Sequence, residues 1–229
     1  MKTSKVTSRT HRIIASRYPT IGVFDDIAAD EDEMRVAFEL EAMTNGRLQP
    51  YRRLAALPEG GVVTGPTASI AMAAFLHCSD SGGRFNDARL GGWYAALDQR
   101  TAIAETVYHN ERRLRMSEAG FPNRIQLREL IVHVDMKCLD LRGVDDPVLY
   151  DKDDYAGAQL FALNHRWPFA DEPVDALAYD SVRRDGGENI CIFRPAALSL
   201  PIDQGEHFEY VWDATGELTV LKLTNVDFP

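Results

Sequence analysis

A single mixed α+β domain is predicted by three observations. Helix-forming segments crowd the first half of the chain, short apolar runs separated by Gly- and Pro-containing turns crowd the second, and 229 residues without an interdomain linker suffice for one core. Residues 1–10, MKTSKVTSRT, read as a flexible amino terminus, leaving 11–229 as the domain, with a helical amino-terminal part.

His11 to Phe24 alternates apolar and polar residues around Pro19 and Gly22, the pattern of a short strand or an extended loop. Asp30 offers an N-cap to an acidic helix, DEDEMRVAFELEAMTN, whose Met34, Val36, Ala37, Phe38, Leu40 and Ala42 fall mostly on one face and which ends near Asn45-Gly46. Pro66 to His77 starts with proline in the tolerated first turn and is Ala-rich, so it reads as a largely buried helix. Trp93 to Leu97 is a short buried strand, and Asp98 caps a helix running from Thr101 to about Leu114.

Beyond Pro122, IQLRELIVHVDMKCLDL alternates as one or two strands, and Asp154 to His165 is helical. The strands Leu177–Val182, Asn189–Phe193, His207–Trp212 and Leu218–Leu223 complete the chain, with Gly186-Gly187 marking a hairpin.

Apolar residues make up 45% and charged residues 26%, a globular balance that excludes wholesale disorder. The 35 acidic and 25 basic residues give a net charge of −10, which disfavours nonspecific attraction to nucleic acid or anionic lipid. Cys78, Cys138 and Cys191 are scattered without a CxxC, suggesting neither a disulfide framework nor a metal site. No stretch has the apolar length of a membrane span, and the expected setting is the cytoplasm.

Chemistry concentrates in Ser81–Asn110, SGGRFNDARLGGWYAALDQRTAIAETVYHN. Arg84 follows one Gly pair, Tyr94 follows another, and Glu105 lies about two turns into an amphipathic helix among Ala102, Ile103, Ala104 and Val107. A cation, an aromatic face and a carboxylate in apolar surroundings are what a site needs to hold a pyrophosphate, stack a base and steady a cationic sugar transition state. Each has a structural alternative: a solvated arginine, a core tyrosine, a glutamate in a buried salt bridge. Ser181, in AYDSVRRDGGENICIF, lies where a strand ends and is a weak signal alone. His109-Asn110-Glu111 copies part of a zinc deaminase signature without its PCxxC partner and reads as helix surface. The Gly pairs form neither GxGxxG nor a P-loop, so Rossmann binding is unsupported.

The blocks RIIASRYPTIGVFDD, TNGRL, GGRFN, GGWYAAL, TAIAETVYH and DSVRRDGGENICIFRPAAL resemble the RES-domain toxins of bacterial type II toxin–antitoxin systems, named for arginine, glutamate and serine. Arg84, Glu105 and Ser181 would be that trio, and the likeness runs from Arg12 to Trp212. The resemblance implies a fold similar to the ADP-ribosyltransferase toxins, twisted β-sheets with flanking helices, and cleavage of the nicotinamide–ribose bond of NAD without a metal. Arg84 would bind NAD, Tyr94 would face its nicotinamide or ribose, Glu105 would serve the reaction centre and Ser181 would help hold the nicotinamide end. An amino-terminal arginine is also implied, with Arg12 and Arg17 both candidates. GGRFN departs from shorter members, which tend to carry a tryptophan there.

The resemblance further implies a cognate Xre-type antitoxin that blocks the pocket and supplies DNA binding, a role the acidic toxin chain lacks. Transfer of ADP-ribose to a host protein is the first expectation. An NAD glycohydrolase or phosphorylase that depletes NAD is the alternative, and a non-catalytic binding module on the same fold is a third.

Overall fold

The computed structural model describes residues 2–18, 25–45, 48–224 and 226. Its strands are β1 (Thr3–Ala15), β2 (Trp93–Ala96), β3 (Asn123–Asp140), β4 (Ala176–Asp180), β5 (Glu188–Ile192), β6 (Asp203–Trp212) and β7 (Leu218–Leu223). Its α-helices are α1 (Glu31–Asn45), α2 (Leu48–Ala55), α3 (Ala68–Leu76), α4 (Gln99–Arg115) and α5 (Ala156–Leu163). The seven strands form one sheet in the order β1-β2-β5-β4-β3-β6-β7, and a further pairing of β1 with β3 closes the first five into a circuit. A mixed α+β domain is therefore observed, with helices grouped before most of the strands.

The amino terminus departs from expectation. Thr3–Arg9 is not frayed: it is the first half of β1, antiparallel to β3 from Thr3↔Leu139 through to Ala15↔Leu127. Thr3, Val6 and Thr7 give this segment stiff branched side chains that suit a pleated surface. Its polar look comes from one solvated face, with Thr7 and Arg9 exposed and Val6 and Thr10 buried. The strand expected from His11 ends at Ala15, and Pro19 to Phe24 lie outside the described residues.

Asp30 caps α1 as expected, accepting the Glu33 N–H at 2.9 Å. Met34, Ala37 and Phe38 are buried, but Val36 and Leu40 turn to solvent, because the helical period carries these two off the inner face. The end of α1 and the side chain of Ala42 belong to positions whose side chains are not described. Helix α2 was not legible: Arg52 and Arg53 make it look polar, yet Arg53 is buried, donating to the Ala88 and Leu76 carbonyls at 2.9 and 2.7 Å. The run after Pro122 is one long strand, β3, whose register with β6 shifts between Arg128 and Leu130.

Two cores lie on either side of the sheet. The larger includes Met34, Leu54, Phe75, Phe85 and Trp93, and the smaller packs Ala102 and Leu114 of α4 against Ile13, Phe208, Tyr210 and Trp212. Asp98 fixes the start of α4, accepting the Thr101 N–H at 3.0 Å.

The circuit is fastened where three of its strands end. Arg142 donates to Asp140 through Nε at 2.9 Å, to Glu188 of β5 at 2.7 Å and to Ser4 of β1 at 3.0 Å. The Arg142 hydrogen bonds hold the Asp140 carboxyl far below the usual carboxylate range, more than offsetting its desolvation. A carboxyl lowered on folding stabilises the native state fully above its unfolded value of roughly 4, and that contribution fades as pH falls through the native value. Asp140→Asn is expected to lower stability at neutral pH by about 1–3 kcal/mol in urea unfolding, with the gap to wild type narrowing on acidification. A gap independent of pH would show that the carboxylate charge is not what fastens the circuit.

Candidate active site

The β1 and β2 strands share a single register pair, His11↔Ala96. Where they diverge, a cavity of about 920 Å³ opens, walled by β1, β2, β4, β5, α4 and the loop before α5. Arg12, Arg84, Tyr94 and Glu105 all line it, and Arg17 does not. Arg17 is exposed and lies over the ring of its neighbour Tyr18, 5.2 Å from the centroid.

Glu105 extends from the second turn of α4 and is positioned through one oxygen. Its Oε1 accepts the Ser181 hydroxyl at 2.7 Å and the Asn189 amide at 2.9 Å. The same Ser181 oxygen accepts the N–H groups of Arg183 and Arg184 at 3.1 and 3.2 Å, so its proton is directed at the carboxylate. Ser181 does not line the cavity. It sits behind Glu105, and Oε2 is left without a hydrogen-bond partner among the described residues. Expected at the nicotinamide end, Ser181 is placed by the β4–β5 connection with its hydroxyl on the Glu105 carboxylate.

Arg84 also differs from expectation. Its flanking glycines do not leave the guanidinium unobstructed: the side chain is buried, Nη1 donates to the Leu149 and Asp151 carbonyls at 2.9 and 2.6 Å, and the Tyr155 ring lies 4.6 Å away. The glycines serve the turn instead. Gly82 has φ +71°, and a Cβ there would stand 2.0 Å from the Asn86 carbonyl. Tyr94 braces this turn from below. Its hydroxyl donates to Asn86 Oδ1 at 2.8 Å and accepts the Phe85 N–H at 2.9 Å, leaving the ring as the part available to a ligand.

Arg12 donates from Nη1 to the Tyr94 carbonyl at 3.0 Å and lies over Trp93. Burial pulls its guanidinium down to about 10, so it is still cationic at neutral pH. Neither Arg12 nor Arg84 has a carboxylate partner among the described residues; both hydrogen-bond to neutral carbonyls. Their charge is therefore not cancelled by a contacting carboxylate, although Glu105, Asp153 and Asp154 line the same cavity.

Asn189 and the stripe below Glu105 escaped the sequence reading. His109 and Arg112 follow Glu105 at i+4 and i+7 and line the cavity, so the HNE segment is site wall as well as helix surface. The 105/109/112 spacing was the available signal. Asn189 offered another, as a polar residue opening the otherwise apolar strand run ICIF. Cys191 lies beneath the floor with its thiol pushed up to about 12 by burial, which removes it as a nucleophile.

A family model described as the RES domain matches residues 62–213. The chain belongs to the RES domain family. Because the match begins at Val62, the blocks around RIIASRYP and TNGRL lie outside it, and so do β1, α1 and α2. This RES domain also resembles a chain in the crystal structure of the M. tuberculosis MbcT-MbcA toxin-antitoxin complex, at 13% identity and a TM-score of 0.45, over 90% of this chain and 86% of that one. No curated protein matches it. Among the described residues no helix is long and apolar enough to cross a membrane.

The coupling of Ser181 to Glu105 is measurable by a double-mutant cycle in urea unfolding. Ser181→Ala and Glu105→Ala are expected to be non-additive by about 1.5–3 kcal/mol, the size of a hydrogen bond to a charged group. Additive losses would mean that the serine does not hold the carboxylate.

Proposed function

We propose that this RES domain is a toxin that cleaves the nicotinamide–ribose bond of NAD and transfers the ADP-ribosyl group to a cellular protein, and that a cognate antitoxin restrains it. The observation that carries the reading is Glu105, positioned by Ser181 and Asn189 in a cavity that also presents two arginines without carboxylate partners. At about 920 Å³ the cavity lies at the large end of the range of roughly 300–1,000 Å³ typical of cofactor-sized ligands.

Arg12 and Arg84 supply cationic donors for a pyrophosphate. The Tyr94 ring offers an apolar face to the nicotinamide end. Glu105 Oε2 is free to accept a ribose hydroxyl or to stabilise the oxocarbenium character that builds at the sugar as neutral nicotinamide leaves. Its preset orientation makes that stabilisation effective without reorganisation. The metal-free chemistry expected of the family is retained in this reading.

A macromolecular acceptor is favoured by the rim. Arg112, Arg113 and Met116 border the cavity, and Met116 is 76% exposed. Arg112 and Arg113, which share the lining with Asp153 and Asp154, offer charge partners to acidic residues of an antitoxin segment lying across the mouth. The added β1–α2 region gives further surface for either partner.

Incubating the protein with a cell extract and NAD labelled on its adenine side should release nicotinamide and place label on a protein band. Release with small-molecule products alone would move the reading to an NAD glycohydrolase or phosphorylase. Glu105→Gln is expected to slow nicotinamide release by about 10²–10³-fold. Undiminished release by that variant would overturn the assignment of Glu105, and no release by wild type would favour a binding module.

A further inference from the structure

The cavity wall contributed by β1 carries a second constructed group. His11 lines the cavity, and its Nδ1 lies 2.6 Å from Oε1 of Glu129 on β3. Glu129 is only 1% exposed, yet it has no arginine or lysine partner among the described residues. Gln99 at the start of α4 donates to both of its oxygens at 3.1 Å, and the Glu206 N–H donates to Oε2 at 3.0 Å. Burial pushes the Glu129 carboxyl up, but the Glu206, His11 and Gln99 hydrogen bonds outweigh it and hold the group below its ordinary value. Room for the carboxylate depends on Gly205, where a Cβ would stand 2.3 Å from Oε2.

This geometry has a defined consequence for the imidazole. A buried, ionised carboxylate on Nδ1 fixes the tautomer with hydrogen on Nδ1 and leaves the Nε2 lone pair as acceptor. Nε2 has no hydrogen-bond partner among the described residues. A histidine oriented by a carboxylate, with its other nitrogen open to a cavity, is the arrangement of a general base. Along the strand His11 shares a face with Ile13, which packs in the α4-side core, so it lies on the same side of the sheet as the helix bearing Glu105. Gln99, which binds Glu129, and Glu105, which lines the cavity, lie about 9 Å apart along the axis of the same helix.

We propose that His11, oriented by Glu129, is the general base that activates the acceptor; the inference rests on the NAD reading above. As the bond from C1′ to the nicotinamide nitrogen breaks, its electron pair neutralises the pyridinium. The acceptor oxygen bonds to C1′, and its proton passes to His11 Nε2 and then to solvent. Glu129 remains ionised and stabilises the imidazolium while the proton resides there. His11 lies on β1, outside the family-matched region 62–213.

The test compares acceptors that need a base with one that does not. Nicotinamide release and the ADP-ribosyl product are followed for wild type, His11→Gln and Glu129→Gln, in buffer with cell extract and again with added sodium azide, an anionic nucleophile with no proton to lose. Expected is a fall of about 10²-fold in transfer to protein or water for His11→Gln, a smaller fall for Glu129→Gln, an unchanged KM for NAD, and near wild-type formation of ADP-ribosyl azide by both. Equal transfer by wild type and His11→Gln would overturn the base. So would parallel loss with azide and with hydroxyl acceptors, which would mark His11 as a structural or NAD-binding residue. If wild type releases no nicotinamide with or without azide, the NAD reading fails and the base with it.

Discussion

The antiparallel pairing of β1 with β3 is the constraint on which the site depends. It closes the strand circuit and brings two neighbouring residues, His11 and Arg12, to one cavity from opposite faces of the strand. In a strand a slip of one residue exchanges the two faces, which would send Arg12 to Glu129 and His11 to Trp93. The register is held at both ends and in the middle. Arg142 fastens Ser4, Thr10 donates to the Val132 carbonyl at 2.8 Å, and Arg128 donates to the carbonyls of Ser16 and Tyr18 just beyond the strand. The polar amino-terminal segment is thus as much a part of the site as the glycine-rich loops.

Charge is distributed by what each arginine touches. The chain is acidic overall, and Arg35, Arg115 and Arg142 are neutralised by carboxylates. Arg12 and Arg84 are held instead by carbonyl oxygens, which fix the guanidinium without cancelling its charge. A local positive potential can therefore persist inside a molecule of net charge −10, and low-dielectric walls strengthen it. Net charge alone describes the exterior. It does not describe the cleft.

Local sequence signals served where structure is local. Asp98 and the helix it caps, the strand Trp93–Ala96 and the hairpin at Gly186-Gly187 follow from capping, burial and turn chemistry within a few residues. Arg84, Tyr94 and Glu105, which line the cavity, were legible as candidate residues for the same reason: glycine pairs and an isolated carboxylate in an apolar helix face are visible without a fold. What failed was non-local. The first half of β1 looked frayed because its partner is more than a hundred residues away, and α2 went unassigned because the carbonyls that satisfy its Arg53 come from distant segments. The His11–Glu129 pair was hidden likewise, since each residue is ordinary alone and only the register makes them neighbours.

The hydroxyls of Tyr94 and Ser181, two residues that the family resemblance assigns to the ligand, are turned into the protein. Tyr94 holds the Arg84 turn closed, and Ser181 holds Glu105, each through a donated and an accepted hydrogen bond. A group satisfied on both counts has little to offer an incoming molecule, but it removes freedom from the group that does. The orientation of Glu105 is therefore established before binding, by a backbone hairpin reaching through a serine, and its cost is met during folding rather than during reaction. Under the NAD reading proposed above, in which Glu105 meets a developing positive charge, that order matters: stabilisation requiring no rearrangement lowers the barrier by its full amount.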